Sequence, residues 1–444
     1  MPIDRFDAAI LGAGVSGLAS AYFLARSGLR VCLLDDYPMP GGNHISRDFS
    51  GFTFDIGSIF FYPGNPQFKM FPGSDADFVP VDLTLGRITP QGHIRSYPLS
   101  IKDEILKQPW RFLRFALSLG RQKFLGGPGT NAESYAIYYL GAYLYRESGL
   151  RNYLLRFYGI DPQTISLHFV ERRMNLTRLT SLRRAAQDLV KRMRRNPAAA
   201  VKPHAIARPV GGFSNHYKKV AEQLHSLGVE IRCAAGLKAV CKTPAGLQID
   251  TACGTLFAKR VINTLPLQMV FGLLGSTQAV ELSSTKLCTL CCSFAGDRGF
   301  KTVVLYNFHD KGAWKRLTMH SDYYGKHAGR EFFDVEVTLG DKRPKAESLF
   351  EDFAAHTNQL GLFRGDLRLE GSMDLDFAYP VCDLKAEERR LRLIDLLAQS
   401  GIETIGRQGL FDYIPHSAIA IEAARERYGR DVPWVPYSGP PNGR

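Results

Sequence analysis

The stretch that most constrains this chain is the run from Phe6 to Asp35. FDAAIL is a short apolar segment that ends in Gly12-Ala-Gly14-Val-Ser16-Gly17. LASAYFLARSG follows, with Leu18, Tyr22, Leu24 and Ala25 at helical spacing, then RVCLL and an acid, Asp35. Strand, glycine turn, helix, strand and acid in that order predict one unit of a parallel sheet that binds a dinucleotide. Each glycine has a separate task. Gly12 permits the tight turn, Gly14 lets a pyrophosphate reach the backbone at the helix N-terminus, and Gly17 lets helix and strand pack closely. Ser16 lies in the same turn. Asp35 stands 18 residues after Gly17, placed to accept a hydrogen bond from a ribose hydroxyl.

A glycine pair, Gly41-Gly42, comes six residues after Asp35, then Asn43, a hairpin pattern, and Asp55-Ile-Gly57-Ser58. This arrangement resembles the FAD-dependent superfamily of amine oxidases, protoporphyrinogen oxidases, phytoene desaturases and UDP-galactopyranose mutases. The resemblance implies FAD as cofactor, with Gly41 and Gly42 passing by the flavin and Gly57 opening a loop beside its ring. It also gives a role to IETIGRQGLFDY near the chain's end. A late strand and a turn at Gly406-Arg407 would close the same site from the other side. RPVGGF and the helix and strands after it resemble the superfamily's return to the cofactor domain, which implies a backbone contact to adenine near Leu237.

The implied architecture is α/β. A Rossmann-type FAD-binding domain, made of 1–90, 205–275 and 376–430, carries an inserted substrate domain. That insert has a helical segment, 91–204, and a strand-rich α+β segment, 276–375; residues 431–444 form a loose tail. Gly41-Gly42-Asn43, DFAYPVCDL and FYGIDPQTISLHFVERRM lean toward the mutase branch. By that likeness Arg172, Arg316 and Tyr379 would face the substrate, which favours a small anionic molecule. GSIFFY lacks the histidine common in mutases at that point, and YIPHSAI lacks their aspartate. The expected function is therefore an FAD-dependent oxidoreductase working by hydride transfer. A mutase-like flavoenzyme without net redox and a non-catalytic flavin protein are the alternatives.

Composition excludes several other classes. No P-loop, no GxSxG and no second GxGxxG is present. Cys288 and Cys291 form a lone CxxC without the second ligand pair that zinc needs, so no metal is expected. The net charge of +13 points to anionic partners. No recognition motif accompanies that charge, so nucleic acid is not expected. The segment 101–124 interleaves aromatics with arginine and lysine, as a helix lying on a membrane would. The expected location is cytoplasmic, with peripheral membrane contact left open by that segment.

Overall fold

In the strand Asp4–Leu11, Ala8 and Ile10 point to one face of a sheet and Ala9 and Leu11 to the other. The neighbouring Val31–Leu34 divides the same way, Val31 and Leu33 against Cys32 and Leu34. Strands apolar on both faces need cover on both, and they have it. Helices Val15–Arg26, Ser214–Ser226 and Ser417–Tyr428 pack on the first face. Helices Leu267–Leu273 and Ala386–Gln399 pack on the second. The computed structural model describes residues 4–57, 59–99, 109–167, 170, 205–340 and 343–433.

This first sheet has seven strands. Its main order is Ala239–Thr243, Gly246–Thr251, Gly254–Asn263, Asp4–Leu11, Val31–Leu34 and Glu230–Arg232. Gly254–Asn263 is central. One edge pairs in parallel with Asp4–Leu11. The other pairs first with Gly246–Thr251, through Gly254–Ala258, and then in parallel with Ile402–Thr404, through Val261–Asn263.

The second sheet also has seven strands, in the order Phe363–Pro380, Ser284–Arg298, Glu331–Leu339, Trp314–Met319, Val304–Asn307, Leu85–Ile88 and Ile94–Ser96. Glu331–Leu339 shows how it is built. Phe333, Val335 and Val337 join the apolar cluster under helix Ala346–Gln359. Asp334 and Glu336 alternate with them and face the other way, fully buried. Helices Ala132–Glu147 and Leu150–Tyr158 pack against Val304, Tyr306 and Phe308 of this sheet. Two boundaries differ from the sequence reading. Leu85–Ile88, assigned above to the cofactor unit 1–90, pairs with Val304–Asn307 in the second sheet. Phe363–Pro380 runs unbroken through the boundary set at 375. Both strands are recruited by long-range ladders that local pattern does not encode.

Beneath the second sheet lies a buried imidazole pair. Trp314 Nε1 donates to His356 Nδ1 at 2.9 Å, and His356 Nε2 lies 3.1 Å from His309 Nδ1, which also accepts the Lys311 N–H. The Trp314 bond needs His356 Nδ1 unprotonated, so the ring is neutral in the fold. Burial, then the nearby His309 and Arg156, pulls its pKa down to about 4. An unfolded histidine titrates at about 6.5. The stability carried by the neutral ring is thus complete above that value and lost as pH falls toward 4. The urea midpoint is expected to drop over this window, and His356→Gln to shed part of that pH dependence. An unchanged pH profile in the variant would remove His356 from the account.

Candidate functional site

The glycine turn is built as the residue types require. Gly12 has φ +101°, and a Cβ there would lie 2.3 Å from Thr264 Oγ1. That hydroxyl donates to the Leu11 carbonyl at 2.8 Å, which ties the turn to the end of Gly254–Asn263. At Gly17 a Cβ would lie 1.9 Å from the Gly12 carbonyl oxygen, so the helix can approach only as glycine. Gly14 differs: a Cβ there would meet nothing closer than Gly42 Cα at 3.7 Å. Helix Val15–Arg26 begins at Gly14 with no side-chain cap and no acid in its first turn. Its first N–H groups and positive dipole end are open to an anion.

Asp35 closes the strand beside this turn. Its Oδ2 accepts the Ala13 N–H at 2.5 Å and its Oδ1 the Tyr37 N–H at 2.8 Å. Burial pushes its carboxyl up, against the pull of those two bonds. The carboxylate therefore shapes the turn as well as offering its remaining lone pairs to a ligand. Leu237 sits next door, and its N–H donates to Asp36 Oδ1 at 2.9 Å. That donor is used within the protein, so any adenine contact at Leu237 falls to other atoms.

Gly41 and Gly42 cross in front of the helix. The Gly41 N–H donates to the Ala13 carbonyl at 2.9 Å, and a Cβ on Gly42 would lie 2.9 Å from Gly14 Cα. Asn43 and His44 follow, and His44 Nδ1 bonds to Tyr217 Oη. The late turn arrives from the other side. Gly406 has φ +84°, and a Cβ there would lie 2.4 Å from Ser16 Oγ. Residues nearly 400 positions apart thus meet at one helix N-terminus.

The hairpin Ser46–Phe49/Phe52–Asp55 carries the chain to Gly57, and Arg208 holds it. The guanidinium is fully buried and donates to Asp55 Oδ1, the Thr53 carbonyl and the Pro209 and Val210 carbonyls, each at 2.7 Å. It also lies over the Tyr324 ring. Gly57, at φ +151°, comes against the second sheet: a Cβ there would lie 3.0 Å from Glu336 Oε1 and 3.9 Å from Arg316 Nη2.

At this junction Arg316 and Glu336 are directly opposed across the ladder. A register shift between Trp314 and Arg316 turns Lys315 toward the same carboxylate. Arg316 bonds to Glu336 Oε1 through Nε at 2.8 Å and through Nη2. Lys315 Nζ, fully buried, lies 3.0 Å from Glu336 Oε2, so each oxygen of the carboxylate faces a cation. Burial would raise the Glu336 carboxyl, but Arg316 and Lys315 override it and hold it at about 2. Tyr379 faces the cluster, 4.5 Å from Lys315 Nζ and 5.7 Å from the Arg407 guanidinium. Burial raises its hydroxyl, the cations led by Lys315 lower it, and the net shift is downward.

The expected substrate set is thus only partly assembled. Tyr379 and Arg407 stand together. Arg316 is present but paired with Glu336 rather than free, which corrects its reading as an open anion clamp. Asp322, on the short helix after the Arg316 strand, pairs with Arg298 at 2.8 Å. Arg172 and Ser58 lie outside the described residues. Sequence reasoning missed Lys315 and Glu336. The signal was available: Asp334 and Glu336 alternating with Phe333, Val335 and Val337 in EFFDVEVTL mark a buried polar face. Cys288 and Cys291 are free and buried, and the Cys288 thiol is pushed up to about 12, chiefly by burial. Among the described residues no group of three histidine, cysteine or acidic side chains is placed to hold a metal ion. No helix of the described residues is long and apolar enough to cross a membrane.

Residues 10–72 match the model of an NAD(P)-binding Rossmann-like domain. A reduced UDP-galactopyranose mutase superposes with a TM-score of 0.74 at 19% identity, covering 99% of this chain and 97% of that one. The chain has the mutase fold. A protein described as a protoporphyrinogen oxidase from Exiguobacterium sp. 255-15 follows at TM-score 0.70 and 15% identity, over 97% of this chain and 99% of that chain. A putrescine oxidase variant follows at 0.62 and 13%, over 97% and 99%. The mutase fold is thus shared with the amine oxidase-like flavoproteins whose motifs the sequence resembles. Curated relatives match in short stretches only. Prolycopene isomerase 2 of an Oncidium hybrid cultivar is 44% identical over 55 residues, 12% of this chain and 9% of that protein. Rat all-trans-retinol 13,14-reductase is 29% identical over 124 residues, 28% and 19%.

Proposed function

We propose that this chain is an FAD-dependent enzyme that oxidises a small anionic organic substrate. The observation that carries the reading is the junction at Gly57. There the cofactor cradle meets a buried group in which Lys315 and Arg316 share one carboxylate, Glu336, and Lys315 and Arg407 both approach the Tyr379 ring. The cradle fits FAD in its parts: an uncapped helix N-terminus, a Gly14 position with space before it, and a second glycine strand across it.

When bound, FAD supplies a ring that accepts a hydride from the substrate. The protein's contribution is binding, orientation and proton placement. The first N–H groups of helix Val15–Arg26 would hold the pyrophosphate, and Asp35 would accept from a ribose hydroxyl. Lys315 and Arg407, both close to the Tyr379 ring, would set a positive potential that draws an anionic group into place and fixes its orientation. Tyr379 Oη holds its proton less tightly than an ordinary buried phenol, so it can exchange one with substrate at the same spot.

The second reading is a non-redox isomerase of mutase type, favoured by the mutase superposition over nearly the whole chain. An anaerobic screen separates the two. Amines, polyenes, porphyrinogens and nucleotide sugars are added in turn to the oxidised flavoprotein. Bleaching of the flavin by one of them is the expected outcome. Turnover only after prior reduction, with isomeric products, would transfer the reading to the mutase class. No response from either form would leave a flavin-binding protein.

A further inference from the structure

Helix Pro109–Leu125 has two apolar faces, and the described residues cover only one. On the inner face Phe115 is buried, and Ser118 Oγ accepts the Tyr143 N–H at 3.0 Å. Gly141, at φ +73°, breaks the opposing helix where it passes Leu119, and a Cβ there would lie 3.1 Å from the Leu119 nitrogen. The outer face holds Trp110, Leu113, Leu117 and Phe124, exposed by 53%, 60%, 66% and 94%. At 100° per residue these four fall within an arc of about 60°, well away from Phe115 and Leu119. Arg114 and Arg121 run along one border of that arc, and Arg114 leans over the Trp110 ring at 5.1 Å. The helix contains four basic side chains and no acid.

We propose that this face binds the surface of an anionic lipid bilayer, with Trp110, Leu113, Leu117 and Phe124 in the headgroup and upper acyl region and Arg114 and Arg121 on lipid phosphates. Charge decides the occupant. A second copy of the chain would bring the same cations face to face without a counter-charge. A nucleic acid would satisfy the arginines but leave four large apolar side chains in water. A bilayer with acidic headgroups satisfies both, because its charge lies directly above an apolar layer.

The test is co-sedimentation of the full-length, flavin-loaded protein with vesicles of phosphatidylcholine alone, or with about one third phosphatidylglycerol. Binding to the acidic vesicles is expected, falling with added salt and much weaker on neutral ones. L113E/L117E and R114E/R121E should each lower partitioning roughly tenfold or more while the melting temperature stays unchanged. The two variants alter different chemistry on an exposed face, so one informs if the other folds poorly. Absence of vesicle binding, or binding by both variants equal to that of wild type, would overturn the proposal. So would a concentration-dependent dimer that L113E/L117E dissolves while wild type ignores vesicles.

Discussion

Gly14→Val is expected to give a folded, colourless protein. The neighbouring glycines explain why this position separates folding from binding. At Gly17 an added Cβ would run into the Gly12 carbonyl at 1.9 Å, and at Gly12 into Thr264 at 2.3 Å. Substitution at either breaks the protein's own packing. Gly14 has an ordinary negative φ of −73°, and its nearest obstacle is at 3.7 Å. A valine there costs the fold little and places its methyl groups where a pyrophosphate needs the backbone. Flavin affinity should fall at least about a hundredfold, roughly 2.7 kcal/mol. Absorbance of the purified variant and its circular dichroism read the two effects separately. Full flavin content in a folded variant would remove the cofactor from this turn, and with it the proposed chemistry.

Arg208→Ala should be the most destabilising single change among the described buried charges. The guanidinium holds Asp55 and three carbonyls, and no water reaches it. Its loss leaves an uncompensated carboxylate inside the protein, which costs about 3–5 kcal/mol. The effect should reach the site, because Asp55 stands two residues before Gly57. A double variant, Arg208→Met with Asp55→Asn, removes both charges and should recover much of the loss. Equal denaturation midpoints for the single variant and wild type would show that the buried pair does not hold the hairpin.

The glycine turn was legible because a glycine states a backbone need directly. Gly12, Gly17 and Gly406 all stand where an added side chain would collide. The acid at Asp35 was legible as well, although its bonds to Ala13 and Tyr37 were not. What stayed hidden depends on pairing between distant strands. Lys315 and Arg316 are adjacent, and in a regular strand they would face opposite sides. A single register shift brings both to Glu336, and local sequence does not announce such a shift. Leu85–Ile88 is misassigned for the same reason, since the four residues Leu-Gly-Arg-Ile carry no mark of the sheet they join.

The central strand Gly254–Asn263 has a consequence for synthesis. Its Val261–Asn263 edge is completed only by Ile402–Thr404. A nascent chain that has made Asn263 therefore carries an unpaired strand edge beside the glycine turn until that late strand leaves the ribosome, roughly 10 to 30 s later at ordinary elongation rates. Through that interval the first sheet is a template open to any passing strand. A chaperone that shields this edge, or a codon supply that shortens the wait, should govern yield more than the final stability does.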